Sequence, residues 1–137
     1  MGFDPVTDYP LGTRRPELVA TPSGLALDDV TLAAARDGRL RADDTRATAE
    51  TLRLQAEVAR AAGRAQLAEG LERAAELTGV PDEELLAVYT ALRPGRSSAD
   101  ELERWAARLE ELGAPLNAAF VREAAAAYGA RGLTVHG

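Results

Sequence analysis

The sequence predicts an all-α fold: a compact multi-helix domain with an extended, proline-containing arm at its N-terminus. Three observations carry that prediction. Apolar residues recur at three- and four-residue spacing in five successive stretches between residues 48 and 131. Gly and Pro punctuate the joints and leave connections of two to several residues, as between antiparallel helical neighbours. No segment alternates polar and apolar residues with period two. Composition agrees, because 46% of residues are apolar and only 4% aromatic. The core must therefore be Leu, Val and Ala, and alanine-rich faces let helices approach closely.

Residues 1–26 read as the extended arm. Pro5, Pro10, Pro16 and Pro22 break helices, and Thr21-Pro22-Ser23-Gly24 is a turn signal. Tyr9, Leu11, Leu18 and Val19 punctuate it with apolar groups, so the arm lies either on its own domain or along a partner. A helical domain over 27–131 follows, with a short tail at 132–137. Its first helix starts at Asp28 or Thr31 and stops at Gly38. Leu40 to Ala47 reads as a polar connector. Thr48 then caps a helix that runs to Ala62 and ends at Gly63. Leu52, Ala56 and Ala59 line one face of it, but Leu54, Val58 and Ala61 line nearly the opposite one. A helix apolar over most of its girth is either wrapped by its own neighbours or offers the second face to a partner.

The next helix, Arg64 to Thr78, is one-sided, with Leu67, Leu71, Ala74 and Thr78 expected inside. Val80 to Ser98 then reads as a helix and a sharp turn. Pro81 and the acidic run Asp82-Glu83-Glu84 suit a helix start, and Leu85, Val88, Tyr89 and Leu92 form its apolar face. Pro94 disfavours helical geometry at Arg93, Gly95 permits the turn, and Ser98 with Glu101 forms a capping box. Leu102, Trp105, Ala106, Leu109 and Leu112 make the stripe of the following helix, which Gly113 stops. Ala114-Pro115 opens the last helix. Its expected main face is Leu116, Phe120, Ala124 and Ala127, with Val121 and Tyr128 on the shoulder.

The chemistry-bearing residues exclude more than they suggest. A net charge of −6 argues against a general nucleic-acid binder, and no apolar run approaches the length of a membrane span. No signal-peptide pattern opens the chain, so a cytoplasmic protein is expected. With no Cys and a single His at 136, thiolate nucleophiles, Ser-His-Asp arrangements and metal sites built on His pairs are out. Adjacent carboxylates such as Asp43-Asp44 and Glu83-Glu84 point about 100° apart on a helix and form no dyad. They read as helix-start charges and solvated faces. Arg93-Pro94-Gly95-Arg96-Ser97-Ser98 could hold a phosphate at a helix N-terminus, but it has neither the glycine spacing nor the lysine of a Walker motif. A capped turn presenting two arginines to carboxylates of another chain is the preferred reading.

Several runs together carry a family resemblance: Asp8-Tyr9-Pro10-Leu11, Thr21-Pro22-Ser23-Gly24, Leu27-Asp28-Asp29-Val30-Thr31-Leu32, Glu50-Thr51-Leu52-Arg53-Leu54-Gln55-Ala56 and Ala118-Ala119-Phe120-Val121-Arg122-Glu123-Ala124-Ala125. The most distinctive is Tyr89-Thr90-Ala91-Leu92-Arg93-Pro94 with Arg96-Ser97. In this order and spacing the chain resembles the small (gamma) subunit of adenosylcobalamin-dependent diol and glycerol dehydratases. Departures include Thr90, where the family usually has Asn, and the tail from Gly132, which is commonly basic in the family.

The resemblance implies a non-catalytic subunit of a lyase that converts propanediol, glycerol or a related diol to an aldehyde and water by a radical mechanism. It implies that adenosylcobalamin is held by the other subunits, and that this chain contributes no catalytic, cofactor-binding or metal-binding residue. The implied partners are a large TIM-barrel subunit and a medium subunit, in a dimer of three-subunit units. The candidate contact residues are Tyr9, Leu11, Leu54, Val58, Tyr89, Arg93, Arg96 and Arg122. Packaging in a bacterial microcompartment is the other location that the resemblance allows, although no N-terminal packaging extension precedes the match. The competing reading is a stand-alone helical adaptor that uses the same faces.

Overall fold

A computed structural model gives the fold and describes residues 2–136. Seven α-helices follow one another in it: α1 (Leu11–Arg14), α2 (Leu32–Arg36), α3 (Ala49–Ala61), α4 (Ala65–Leu77), α5 (Asp82–Ala91), α6 (Ala99–Glu111) and α7 (Pro115–Ala130). Single 3-10 turns lie at Pro16–Leu18, Leu27–Asp29 and Ala42–Thr45. Among the described residues no strand forms; one isolated antiparallel bridge joins Ala20 to Ala26. The all-α prediction therefore holds. The chain divides into two compact units, residues 1–78 and 79–137.

In the first unit, α3 and α4 pack as a helical pair. Thr48 caps α3 by accepting the Thr51 N–H at 3.2 Å. The contact centres on Ala56, Ala59 and Ala68, with Leu71 packed against them. Small side chains at the seam bring the two backbones close, and this rotates the buried stripe of α4 away from the expected one. Ala68 and Ala75 are buried, whereas Leu67 is pushed to the rim and is 47% exposed. Of the two expected starts of the helix before Gly38, Asp28 and Thr31, the structure takes Thr31. Residues 27–29 form a 3-10 turn, and Thr31 caps the five-residue α2 by accepting the Ala34 N–H at 3.1 Å.

The polar connector at 40–47 has a buried centre that its composition did not announce. Asp44 accepts from the Ser23 hydroxyl at 2.6 Å, the Ser23 N–H at 3.2 Å and the Arg41 N–H at 2.7 Å. It thereby ties the Thr21-Pro22-Ser23-Gly24 turn to the connector. These donors, the Ser23 hydroxyl foremost, hold its carboxyl far below the ordinary range.

In the second unit, α6 packs along α7, and α5 touches α6. Leu102, Ala106 and Leu109 are buried on α6, matching its expected stripe. Ser98 caps α6 by accepting the Glu101 N–H at 3.1 Å. Gly113 takes φ +79°, the left-handed geometry that closes a helix and that a side chain would resist. The expected face of α7 is corrected. Asn117, Ala118 and Val121 are buried, while Leu116 and Phe120 are 46% and 44% exposed. Again the smaller side chains sit at the seam, where they allow close approach to α6.

Candidate functional site

Two surfaces, one in each unit, collect six of the eight candidate contact residues: Tyr9, Leu11 and Val58 in the first and Tyr89, Arg93 and Arg96 in the second. In the first unit a cleft of about 790 Å³ lies between the N-terminal arm and the α3–α4 pair. Pro5, Val6 and Tyr9 line it from the arm, and Val58, Ala62 and Leu67 line it from the helices. The arm is held by polar contacts of its own. Asp4 accepts from the Val6 and Thr7 N–H groups at 2.8 and 3.2 Å, which pulls its carboxyl below the usual range. Arg15 bonds Asp8 at 2.8 Å and also pairs with Glu17. Its apolar residues then divide: Leu11 is buried, whereas Val6 and Tyr9 are 71% and 61% exposed. On α3, Leu54 and Val58 are half-buried, and Ala61, on the same side, is exposed.

In the second unit the turn after α5 forms a braced corner. The buried Ser97 hydroxyl donates to the Ala91 carbonyl at 2.8 Å, and the Tyr128 hydroxyl donates to the Leu92 carbonyl at 2.6 Å. The C-terminal tail runs alongside. The Gly95 N–H donates to the Leu133 carbonyl at 2.7 Å, and the Val135 N–H to the Ser97 carbonyl at 3.0 Å. Gly95 takes φ +74°, which only glycine adopts without strain. Arg93 and Arg96 project from this corner and are both exposed. Tyr89, expected on the apolar face of α5, is instead 57% exposed, because Val88 and Ala91 take the buried positions.

Arg122 is placed differently from the other candidates. It pairs with Glu103, at 2.8 Å, and with Glu110, joining α7 to α6. These carboxylates raise its already high pKa, and it in turn lowers that of Glu103. The fold thus brings Tyr89, Arg93 and Arg96 to one corner, leaves Tyr9 and Val58 at the cleft with the buried Leu11 in its wall, keeps Leu54 half-buried on α3 and engages Arg122 between α6 and α7.

Several exposed apolar side chains lie outside the candidate contact set, among them Leu86, Leu116 and Phe120. Leu86 carried a signal, since it lies three residues before Tyr89 on α5. Leu116 and Phe120 looked like core, and their exposure depends on which face of α7 meets α6. Among the described residues, no group of three His, Cys, Asp or Glu side chains could hold a metal ion, and the sole imidazole, His136, is exposed. No described helix is long and apolar enough to cross a membrane.

Comparison with known proteins adds to this geometry. The family model for the dehydratase small subunit matches residues 5–134. A propanediol dehydratase small subunit from Citrobacter freundii is 54% identical over 124 residues, covering 90% of this chain and 72% of its own length. Another from Salmonella typhimurium (strain LT2) is 51% identical over 124 residues, with the same shares covered.

Proposed function

Because this chain belongs to the dehydratase small-subunit family, we propose that it is the non-catalytic small subunit of a propanediol dehydratase, supporting assembly of the catalytic large subunit. The observation that carries this reading is the match of residues 5–134 to the family, with 54% identity to a relative of that name. A small subunit has partner subunits by its nature, and the exposed apolar and cationic side chains supply surfaces to meet them. In this reading the assembled enzyme removes water from a 1,2-diol, propanediol or glycerol, and leaves the aldehyde.

Adenosylcobalamin, when bound, would supply the radical that starts the reaction, and we assign it to the other subunits. That assignment is supported by the lack of any Cys and by the exposure of the one imidazole, His136, which leave this chain without a thiolate or a buried imidazole to offer the cobalt. The chain's own residues serve to brace surfaces: Ser97, Tyr128 and the tail stiffen the corner at 93–97, and Arg15 and Asp4 shape the arm. We further propose a large TIM-barrel subunit and a medium subunit as partners, in a dimer of three-subunit units, located in the cytoplasm.

Co-expression with the large and medium dehydratase subunits of the same organism tests the reading. The chain is expected to co-purify with them, and its omission to reduce assembly and diol dehydration. Unchanged assembly and turnover without it would refute the proposal and favour a stand-alone adaptor.

A further inference from the structure

The corner at residues 93–97 has a local charge opposite to that of the molecule. Segments 89–99 and 124–136 contain Arg93, Arg96 and Arg131 but no Asp or Glu, in a chain of net charge −6. The two segments are distant in sequence, and backbone bonds from Gly95 to Leu133 and from Val135 to Ser97 lay them side by side. All three arginines are exposed, and none of their guanidinium groups has an ion-pair or hydrogen-bond partner among the described residues. Arg108 and Arg122 of the same unit, by contrast, are both paired with glutamates. The cationic corner also continues an exposed helical stripe. Leu86, Tyr89 and Arg93 follow at three- and four-residue spacing, with Leu86 65% and Tyr89 57% exposed.

We propose that Leu86, Tyr89, Arg93, Arg96 and Arg131 form a docking surface for a carboxylate-bearing segment of a partner dehydratase subunit. Guanidinium groups pair bidentately with carboxylates, and aromatic and arginine side chains are enriched where protein surfaces meet. The bracing hydrogen bonds lower the entropy lost on docking, because the turn that carries the arginines is already set. A free phosphate would leave Leu86 and Tyr89 unused. It would also compete with Ser98, which already accepts the Glu101 N–H at the start of α6.

This inference rests on the chain being a dehydratase subunit, and the test separates the two. Affinity of the full chain for the purified large and medium subunits is measured at about 50 and about 500 mM salt, where screening of surface charge differs severalfold. Wild type is expected to bind more weakly at high salt. The double variant Arg93→Ala/Arg96→Ala is expected to lose about tenfold or more in affinity and most of the salt dependence, since charge pairs at interfaces set both. Arg131→Ala and Tyr89→Ser provide separate checks, and circular dichroism and Tm matching wild type exclude a folding defect.

If wild type does not bind, the subunit reading itself falls. If wild type binds and every variant binds equally well with the same salt slope, only the docking surface is overturned. In that case, stabilisation of wild type but not the double variant by inorganic phosphate, at matched ionic strength, would reassign the corner to a small anion. Self-association lost in the double variant would reassign it to a second copy of this chain.

Discussion

Asp44 shows how one side chain can organise a segment without regular structure. Its carboxylate collects the Ser23 hydroxyl and the N–H groups of Ser23 and Arg41, all of which favour the ionised form. A folded-state pKa held below the unfolded value gives stability that is full above the ordinary carboxylate range, near 3.9, and is lost as pH falls through the folded value. Asp44→Asn should therefore have a lower Tm than wild type at neutral pH, because the amide presents an N–H₂ group to one of these donors. The gap should narrow as the pH is lowered from about 4 towards about 2, and thermal unfolding across that range measures it. Ser97 is a second residue of this kind, 2% exposed, with its hydroxyl on the Ala91 carbonyl. Ser97→Ala leaves that carbonyl without its partner and should cost about 1–3 kcal/mol in urea unfolding. Neither role was legible from local spacing. Asp44 lies 21 residues from Ser23 and Ser97 six from Ala91, so the bonds exist only once the chain has turned back on itself.

At the scale of elements, the helices themselves were largely legible. Thr48 and Ser98 cap as their positions indicate, and the stripe of α6 is the buried one. The facing of α4, α5 and α7 was not, for a common reason. Alanine is a weak hydrophobic signal beside Leu, Phe or Tyr, yet it fits best where two helices approach closely. The seams accordingly took Ala68, Ala91 and Ala118, and left Leu67, Tyr89 and Phe120 at the rim or exposed. Stability measurements should follow burial and not hydrophobicity. Leu109→Ala, at a site 1% exposed, should cost about 2–5 kcal/mol. Leu86→Ser, at a site 65% exposed, should stay within about 0.5 kcal/mol. Equal losses at the two sites in denaturant unfolding would contradict the observed face of α5.

At the scale of the whole molecule, local stability should be uneven. Helices α3, α4, α6 and α7 have 13 to 16 residues each and bury continuous faces, whereas α1 and α2 have four and five. Hydrogen exchange on the intact chain should find the slowest amides in the four long helices and the fastest in the arm at residues 4–8 and in α2. Uniform protection from end to end would contradict that ordering. The Leu133 and Val135 bonds should also slow the amides of Gly95 and Val135 relative to others outside helices.

The sequence by itself determined the all-α class, the positions of the long helices and their caps, and the family resemblance. All of these rest on local chemistry: apolar periodicity, Gly and Pro punctuation, capping side chains, and runs of residues in a fixed order. The division into units at 78/79, the alanine seams, the Asp44 anchor and the tail beside the corner were decided only by tertiary structure. Each depends on which distant segments meet, and one-dimensional spacing carries no information on that. The cationic corner combines the two. Its arginines are plain in the sequence, but the fold lays the tail that follows Arg131 beside the turn that carries Arg93 and Arg96, through the bonds from Gly95 to Leu133 and from Val135 to Ser97.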